Sequence, residues 1–240
     1  MNKAIQRTYQ ICTLDKHLDC SLCSIAAYVD CSRHKPAQMV HYYKMIAILV
    51  IPGILILVVA SFVLNLWWLL PGYILYWFFY QLVGELFIRC RHCPFWDESN
   101  PKLECRINCG APKLQWLKPA SLIRFNPAPL KLWEKFVVQA LSIMTILIPI
   151  IVAIFVLTVR IYLEGYINMT VLIVTGLIIC QFVTGIYFIR YLTGSLCPTC
   201  VHFSCPNNRQ PYHVIKEYLA RNKIIQTAWE KDLYRYANRK

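Results

Sequence analysis

The sequence predicts an all-α membrane protein with four transmembrane helices, arranged as two hairpins that carry small cysteine-rich, metal-binding cytoplasmic segments. Three observations lead to this fold class. The 240 residues are 58% hydrophobic, they contain four long apolar runs, and they combine a formal charge of +13 with 12 cysteines. Ordinary soluble domains do not show this combination.

Each apolar run is long enough to cross the hydrocarbon core of a bilayer, which takes roughly 20 helical residues. The first two runs are separated by a short turn at "LNLWW", which predicts a helical hairpin. The last two are joined by "RIYLEGYIN" and predict a second hairpin. The predicted spans cover residues 45–64, 66–88, 136–159 and 168–189.

The distribution of Lys and Arg predicts the orientation. Six lie in the amino-terminal tail, nine in the loop between the hairpins and nine in the carboxyl-terminal tail, which leaves Arg160 on the other side. By the positive-inside rule, both termini and the loop face the cytoplasm, in a multi-pass protein of the plasma or cell membrane. Topology and anionic lipid headgroups account for this charge, so we expect a lipid bilayer as partner and no nucleic acid.

These assignments predict five parts of the chain. They are a cytoplasmic cysteine-rich segment (1–44), a transmembrane hairpin (45–88), a cytoplasmic cysteine-rich loop (89–135), a second transmembrane hairpin (136–189), and a cysteine-rich carboxyl-terminal segment (190–240) that includes an amphipathic helix over about 211–235. The apolar stripe of that helix is predicted to contain Val214, Tyr218, Ile225, Trp229 and Leu233. Eleven of the 12 cysteines lie in the predicted cytoplasmic parts, and Cys180 lies within a helix. Because cytoplasmic thiols are kept reduced, clustered cysteines there indicate metal ligands rather than disulfides.

The first cysteine cluster has the spacing Cys12-x7-Cys20-x2-Cys23-x7-Cys31. A Cys-x2-Cys pair can place two thiolates on one ion, and the flanking cysteines can complete a tetrahedral shell. The alternative is a set of buried cysteines on an amphipathic helix, since free Cys is often simply buried.

The second cluster has the spacing Cys90-x2-Cys93-x11-Cys105-x3-Cys109. Two short-spaced pairs separated by a small polar loop are typical of a closed structural zinc site. An iron–sulfur cluster also takes four thiolates, so the spacing leaves both cofactors open.

The third cluster, Cys197-x2-Cys200-x4-Cys205, offers three cysteines. Either His202 or His213 could close it as a structural site, which is the interpretation we favour because structural zinc sites are closed. The alternative is an open coordination position, the arrangement that catalytic metals use.

A short internal sequence similarity, called the echo below, precedes both the second and the third cluster. "QLVGELFIR" (81–89) and "QFVTGIYFIR" (181–190) share Gln, Val, Gly and a closing Phe-Ile-Arg, and each precedes a Cys-x2-Cys pair. The echo indicates a tandem repeat of hairpin plus cysteine cluster, with a chance match as the alternative. Within it, Glu85 and Arg89 are spaced to form an ion pair on one helix face.

The layout of four membrane helices, cytoplasmic termini and a cysteine-rich loop resembles that of the protein S-acyltransferases. That family uses an Asp-His-His-Cys motif, whereas this chain has "RCRHCPFW", with a single His and no preceding Asp. No catalytic residue carries across, and no Gly-rich phosphate loop, Gly-x-Ser-x-Gly or His-Glu-x-x-His motif is present.

The sequence therefore favours a zinc-binding, non-catalytic membrane scaffold or accessory subunit that assembles with a membrane-protein partner or with itself. The alternative is an iron–sulfur subunit that passes electrons between a cytoplasmic donor and a quinone or partner. A role in metal trafficking comes third.

Overall fold

The computed structural model of the chain describes residues 11–15, 20, 23–31, 36–105, 111–114, 124–164 and 168–230. Within these ranges the regular secondary structure is helical, and the one strand-like feature is an isolated antiparallel bridge between Lys102 and Pro112. The all-α prediction is confirmed for this part of the chain.

Six α-helices are present in the described ranges. They are α1 (Pro36–Leu64), α2 (Leu69–Phe79), α3 (Leu132–Glu164), α4 (Met169–Tyr191), α5 (Tyr212–Arg221) and α6 (Lys223–Trp229). Shorter segments form two matched pairs, each a π-helix followed by a 3-10 helix: Tyr80–Arg89 with Cys90–His92, and Leu192–Leu196 with Cys197–Thr199.

Three of the described helical stretches are long and apolar enough to cross a membrane. They are Met39–Leu64, Leu132–Leu163 and Met169–Thr199. Large apolar side chains along them are exposed, as for Phe62, Phe155 and Phe182, which are 66%, 56% and 60% accessible. Such faces are stable in contact with lipid, so the chain is a multi-pass membrane protein.

The predicted span over 66–88 has a different structure, and the four-span prediction is not confirmed. Helix α2 has 11 residues, which cover roughly 16 Å at 1.5 Å per residue, about half of the hydrocarbon core. From Tyr80 to Arg89 the backbone continues as a π-helix. An apolar run predicts a helix from its composition, which does not reveal where the backbone hydrogen bonds lengthen from i→i+4 to i→i+5. The ion pair predicted between Glu85 and Arg89 is confirmed within this segment.

The turn between α1 and α2 is set by Asn65. Its φ of 54° lies in the left-handed region, which Asn tolerates better than most residues. Its side chain accepts a hydrogen bond from the indole N–H of Trp67 at 3.1 Å, and Leu66 N–H donates to Ser61 O at 3.1 Å. These contacts end α1 and start α2 within a few residues.

The chain divides into two compact units. The helical unit comprises 40–84 and 139–191, and the cysteine-rich unit comprises 1–39, 85–138 and 192–240. The helical unit has a core in which small and β-branched side chains of α1, α3 and α4 meet. This core contains Ile56, Ala60, Ala153, Val156 and Val174.

The cysteine-rich unit has its own core, made by three parts of the chain that are distant in sequence. The amino-terminal part contributes Ile11, Leu14, Ile25 and Val29, the central part Cys93 and Phe95, and the carboxyl-terminal part Val201, Phe203, Val214, Ile215, Tyr218, Leu219, Ile225 and Trp229.

The amphipathic helix predicted over 211–235 is two helices in the structure, with residues 231–235 outside the described ranges. Helix α5 ends and α6 begins at Asn222, whose backbone leaves the helical region at φ −124° and ψ 72°. Four residues of the predicted apolar stripe, Val214, Tyr218, Ile225 and Trp229, are nevertheless buried. The break at Asn222 lies between Tyr218 and Ile225, so each of the two short helices keeps two residues of the stripe on its buried side.

Gly53 lies where α1 packs tightly against α3 and α4. A Cβ atom at this position would lie 3.1 Å from Cγ of Pro149 and 3.4 Å from Oε1 of Gln181. The proline ring cannot rotate away, so a larger residue has to separate the helices. At Gly176, in contrast, a Cβ atom would have no neighbouring atom within 4 Å and would face open space.

We therefore predict that Gly53→Leu destabilises the protein by about 1–3 kcal/mol through overpacking. Gly176→Leu is the matched control and should leave stability unchanged or slightly raised, since Leu favours a helix over Gly. Thermal unfolding of both variants in detergent measures the difference. Equal melting temperatures for the two variants would contradict the packing described around Gly53.

Candidate functional site

The described cysteines of the three predicted clusters all lie in the cysteine-rich unit. Each is a free thiol, and their exposure varies: Cys90, Cys93, Cys197 and Cys205 are buried, Cys12, Cys23, Cys31, Cys105 and Cys200 are half-buried, and Cys20 is exposed. Cys109, the fourth member of the second cluster, lies outside the described residues. Cys180 is an exposed thiol of α4 in the helical unit.

The four thiols of the amino-terminal cluster are close enough to act on one another electrostatically. Burial, followed by the charges of Cys12, Cys20 and Cys23, raises the pKa of Cys31 to about 12. Residues 23–31 form turns rather than a helix, so the amphipathic-helix alternative does not describe this segment. Folding thus brings together the four residues that the spacing predicted as one set.

Asn222 holds the amino-terminal cluster against the carboxyl-terminal helices. Its side-chain oxygen accepts a hydrogen bond from Cys12 N–H at 2.7 Å, and its amide donates to Cys12 Sγ at 3.2 Å and to Tyr218 O at 2.7 Å. Asn222 is fully buried. Burial raises the pKa of Cys12, while the hydrogen bond from Asn222 acts in the opposite direction.

The central cluster is built around a single 3-10 turn. Cys93 N–H donates to Cys90 O at 3.0 Å, and Cys93 itself is extended at φ −84° and ψ 132°. A hydrogen bond with Cys105, together with burial, raises the pKa of Cys90 well above its usual value. Burial raises the pKa of Cys93, and the backbone N–H of Phe95 acts in the opposite direction.

The carboxyl-terminal cluster has the same local structure. Cys200 N–H donates to Cys197 O at 3.3 Å, and Cys200 is extended at φ −79° and ψ 134°. His202 N–H donates to Cys200 Sγ at 3.4 Å. Both Cys-x2-Cys pairs follow a π-helix, but the two parts of the sequence echo differ in backbone conformation, because 81–89 is π-helical whereas 181–190 lies in α4.

The central and carboxyl-terminal clusters also act on each other electrostatically. Burial and the charges of Cys105 and Cys200 raise the pKa of Cys93. Burial raises the pKa of Cys200 to about 12, with smaller contributions from Cys205, Cys197 and Cys105. Cys93, Cys105 and Cys200 are therefore within electrostatic range of one another, although Cys105 and Cys200 are only half-buried.

Two polar side chains that sequence reasoning missed fix the carboxyl-terminal cluster in place. Gln210 donates through Nε2 to Tyr28 O at 2.6 Å and also to Pro198 O. Asn208 donates through Nδ2 to Cys200 O at 2.7 Å. Both lie in the polar stretch "PNNRQP". Sequence alone does not distinguish an amide side chain that bridges two segments from an ordinary loop residue.

A buried ionic cluster joins the central cluster to the first turn of α3. Glu134 accepts hydrogen bonds from Arg91 at 3.0 Å and from Lys131 N–H at 2.7 Å, and His92 Nε2 lies 3.6 Å from it. His92 Nδ1 is hydrogen-bonded to Ala128 O at 2.6 Å. Burial lowers the pKa of His92, although Ala128 and Glu134 oppose the shift.

The two histidines predicted as ligands of the third cluster have different environments. His213 is exposed at the start of α5, with its ring edge-on to Tyr28 at 5.4 Å between centroids. His202 is 5% accessible, and burial followed by nearby positive charges lowers its pKa to about 3, so its ring is neutral at pH 7. Among the described residues, no hydrogen-bond partner is found for its Nε2 atom.

No three His, Cys, Asp or Glu side chains in the described ranges form a group that could hold a metal ion in the geometry present. Several thiols lie near one another, but they are not arranged as a coordination shell around an ion. Comparisons of the chain with protein-family models, with curated proteins and with solved structures find no match. Function is therefore inferred from this chain's own residues.

We predict that Asn222→Ala lowers the free energy of unfolding by about 1–3 kcal/mol, because it leaves the Cys12 N–H buried without its acceptor. Gln226→Ala, which removes a half-buried amide from the neighbouring helix α6, is the control and should cost much less. Thermal unfolding in detergent, with thiol labelling of Cys12 as a local probe, tests both variants. Equal stability and equal labelling of the two would show that Asn222 does not hold the cluster.

Proposed function

We propose that this multi-pass membrane protein carries a cytoplasmic zinc-binding unit and acts as a non-catalytic scaffold or accessory subunit of a larger membrane assembly. One observation carries the proposal. Three cysteine-bearing parts of the chain, around Cys12, Cys93 and Cys205, pack into a single unit although membrane helices and loops separate them in the sequence. Metal ions bound by the cysteines of these parts would stabilise the folded unit.

The thiols have the surroundings that favour a bound cation. The backbone N–H of His202 donates to Cys200 Sγ at 3.4 Å, and backbone N–H groups two residues onward also lower the pKa of Cys93 and of Cys205 against the effect of burial. Hydrogen bonds of this kind stabilise a thiolate, the form that binds metal. Burial and neighbouring thiols act against ionisation in the metal-free state, and a divalent cation reverses that balance because its charge outweighs theirs.

Zinc binding requires local rearrangement of the thiols. Four ligand atoms at about 2.3 Å from one ion lie at the corners of a tetrahedron, roughly 3.8 Å from each other, and the thiols do not have this arrangement in the metal-free structure. Rotation of the cysteine side chains within their turns is the smallest change that can achieve it. Metal binding then contributes directly to the folding free energy of the unit.

The proposal of a non-catalytic role rests on how the buried acid–base groups are used. His92 and Glu134 lie close together, as a catalytic pair would, but both make structural contacts. His92 is held by the Ala128 carbonyl, and Glu134 accepts from Arg91 and from the Lys131 N–H just before α3. An accessory role also agrees with the exposed apolar faces of the membrane helices, on which lipid or a membrane partner can pack.

Metal analysis with an absorption spectrum, on full-length protein purified in detergent without air, tests the proposal. Colourless protein with one or more zinc ions per chain is the expected result. A brown sample with iron, acid-labile sulfide and a bleachable band near about 400 nm would instead establish the iron–sulfur alternative, with electron transfer as its function. Protein without bound metal would refute both.

Substitution of the central cluster gives a sharper test. We predict that Cys90→Ser and Cys105→Ser lower expression and zinc content together, because Cys105 contacts Cys90 and acts on both Cys93 and Cys200. Cys180→Ser, at an exposed thiol of α4, is the matched control and should change neither quantity. Unchanged zinc and stability in both cluster variants would exclude the central cluster as a site.

A further inference from the structure

Lys113 is a lysine whose whole side chain lies inside the cysteine-rich unit. Its accessible surface is 0%, although lysine is among the residues least often buried completely. Its Nζ atom donates to Asn100 O at 2.7 Å and also to Asp97 O, and it lies 5.1 Å from the centroid of the Trp96 ring. Burying an ammonium is costly without such acceptors, so these contacts give Lys113 a defined position.

The ammonium of Lys113 is charged at neutral pH. Burial lowers the pKa of Lys113 to about 8, while the carboxylates of Asp97 and Glu104, followed by the thiols of the central cluster, act in the opposite direction. The side chain is therefore protonated at pH 7. It provides a fixed cation against the segment between Cys93 and Cys105, which is called the central loop below.

The two carbonyls that accept from Lys113 belong to a turn that is attached to Cys93. Asn100 N–H donates to Asp97 O at 3.2 Å, which closes the turn. Just before the turn, Trp96 N–H donates to Cys93 O at 2.9 Å. The contacts of the ammonium with the turn and with the Trp96 ring therefore fix its position relative to Cys93.

Lys113 is also attached to the end of the central loop that leads to Cys105. Its backbone N–H donates to Pro101 O at 2.9 Å. The side chain of Asn100, whose carbonyl accepts from the ammonium, donates through Nδ2 at 2.7 Å to Oε1 of Glu104, the residue before Cys105. Both ends of the central loop are thus linked to one buried lysine.

We infer that Lys113 is a positioning residue for the central cysteine cluster: its ammonium holds the central loop closed and sets the position of Cys105 without a bound metal. In small metal-binding segments the ion itself usually does this, and the segment is unfolded without it. The inference deepens the proposed function and rests on it in one respect, because a loop closed in advance binds zinc more tightly. Loss of zinc then leaves the loop folded.

Amide hydrogen exchange of the full-length wild-type protein, treated with a zinc chelator, tests the inference without a variant. Leu103 N–H donates to Ala111 O at 2.9 Å, and together with Lys113 N–H it reports whether the central loop is closed. We expect both amides to exchange at least about tenfold more slowly than in an unfolded chain. Unprotected exchange after zinc removal would overturn the inference, since a metal would then be closing the loop.

Substitution of Lys113 gives the second test. Lys113→Met removes the ammonium and keeps most of the side-chain volume, and Lys102→Met, at an exposed lysine of the same loop, is the matched control. Thiol labelling of zinc-free protein, with each cysteine quantified separately by mass spectrometry, follows Cys105 and Cys12 in one sample. We expect Lys113→Met to raise the labelling rate of Cys105 by about tenfold and to leave Cys12 nearly unchanged. Asn222→Ala should show the reverse pattern.

Zinc retention tests the part that rests on the proposed function. Where wild-type protein contains zinc, Lys113→Met should release about one zinc per chain at a chelator concentration about tenfold lower than wild type requires. Lys102→Met should release zinc as wild type does. Release at the same concentration from wild type and Lys113→Met would overturn the claim that the closed loop favours zinc.

The outcomes separate this inference from the proposed function. Wild-type protein that contains no zinc but has a protected central loop would refute the proposed function and support the inference. Equal labelling of Cys105 in Lys113→Met and Lys102→Met would overturn the inference, as would a Lys113→Met variant in which Cys12 and Cys105 become reactive to the same extent. Where Lys113→Met fails to fold, hydrogen exchange of the wild-type protein decides.

Discussion

The burial of one face of α5 is the interaction on which the cysteine-rich unit depends. Val214 and Tyr218 are wholly inaccessible, and the Tyr218 ring lies edge-on to Phe203 at 5.0 Å between centroids. Residues from the amino-terminal and central parts of the chain belong to the same core. All three parts of the chain thus share one core, so its burial couples the surroundings of the three cysteine clusters.

Polar contacts then decide how the three parts meet. Apolar burial is not directional, so it brings segments together without fixing their register. The buried amides of Asn222 and Gln210 supply that register, because each bonds the amino-terminal part to the carboxyl-terminal part. Thr13 adds a link to the central part through its hydrogen bond to Pro94 O at 2.9 Å. Thiols that would otherwise be scattered among turns are thereby held in defined neighbourhoods.

Sequence reasoning predicted the features that follow from composition and short spacing. The long apolar runs, the ion pair of Glu85 with Arg89 and the buried stripe of Val214, Tyr218, Ile225 and Trp229 are present. The π-helical segment after Phe79 could not be predicted, because apolar composition is the same for either hydrogen-bond register. Nor could the role of Asn222, since its partner Cys12 lies 210 residues away in the sequence. The difference between His202 and His213 likewise depends on burial, which spacing alone does not report.

The three cysteine clusters share one local feature, a turn in which the second cysteine of a Cys-x2-Cys pair donates its N–H to the carbonyl of the first. The bond is 3.2 Å from Cys23 to Cys20, 3.0 Å from Cys93 to Cys90 and 3.3 Å from Cys200 to Cys197. Cys93 and Cys200 also have closely similar backbone dihedral angles. Such a turn places two thiols on one side of the backbone from four residues of sequence, so the spacing alone predicts it. The contacts between clusters depend instead on polar side chains distant in sequence, among them Asn222, Gln210 and Thr13.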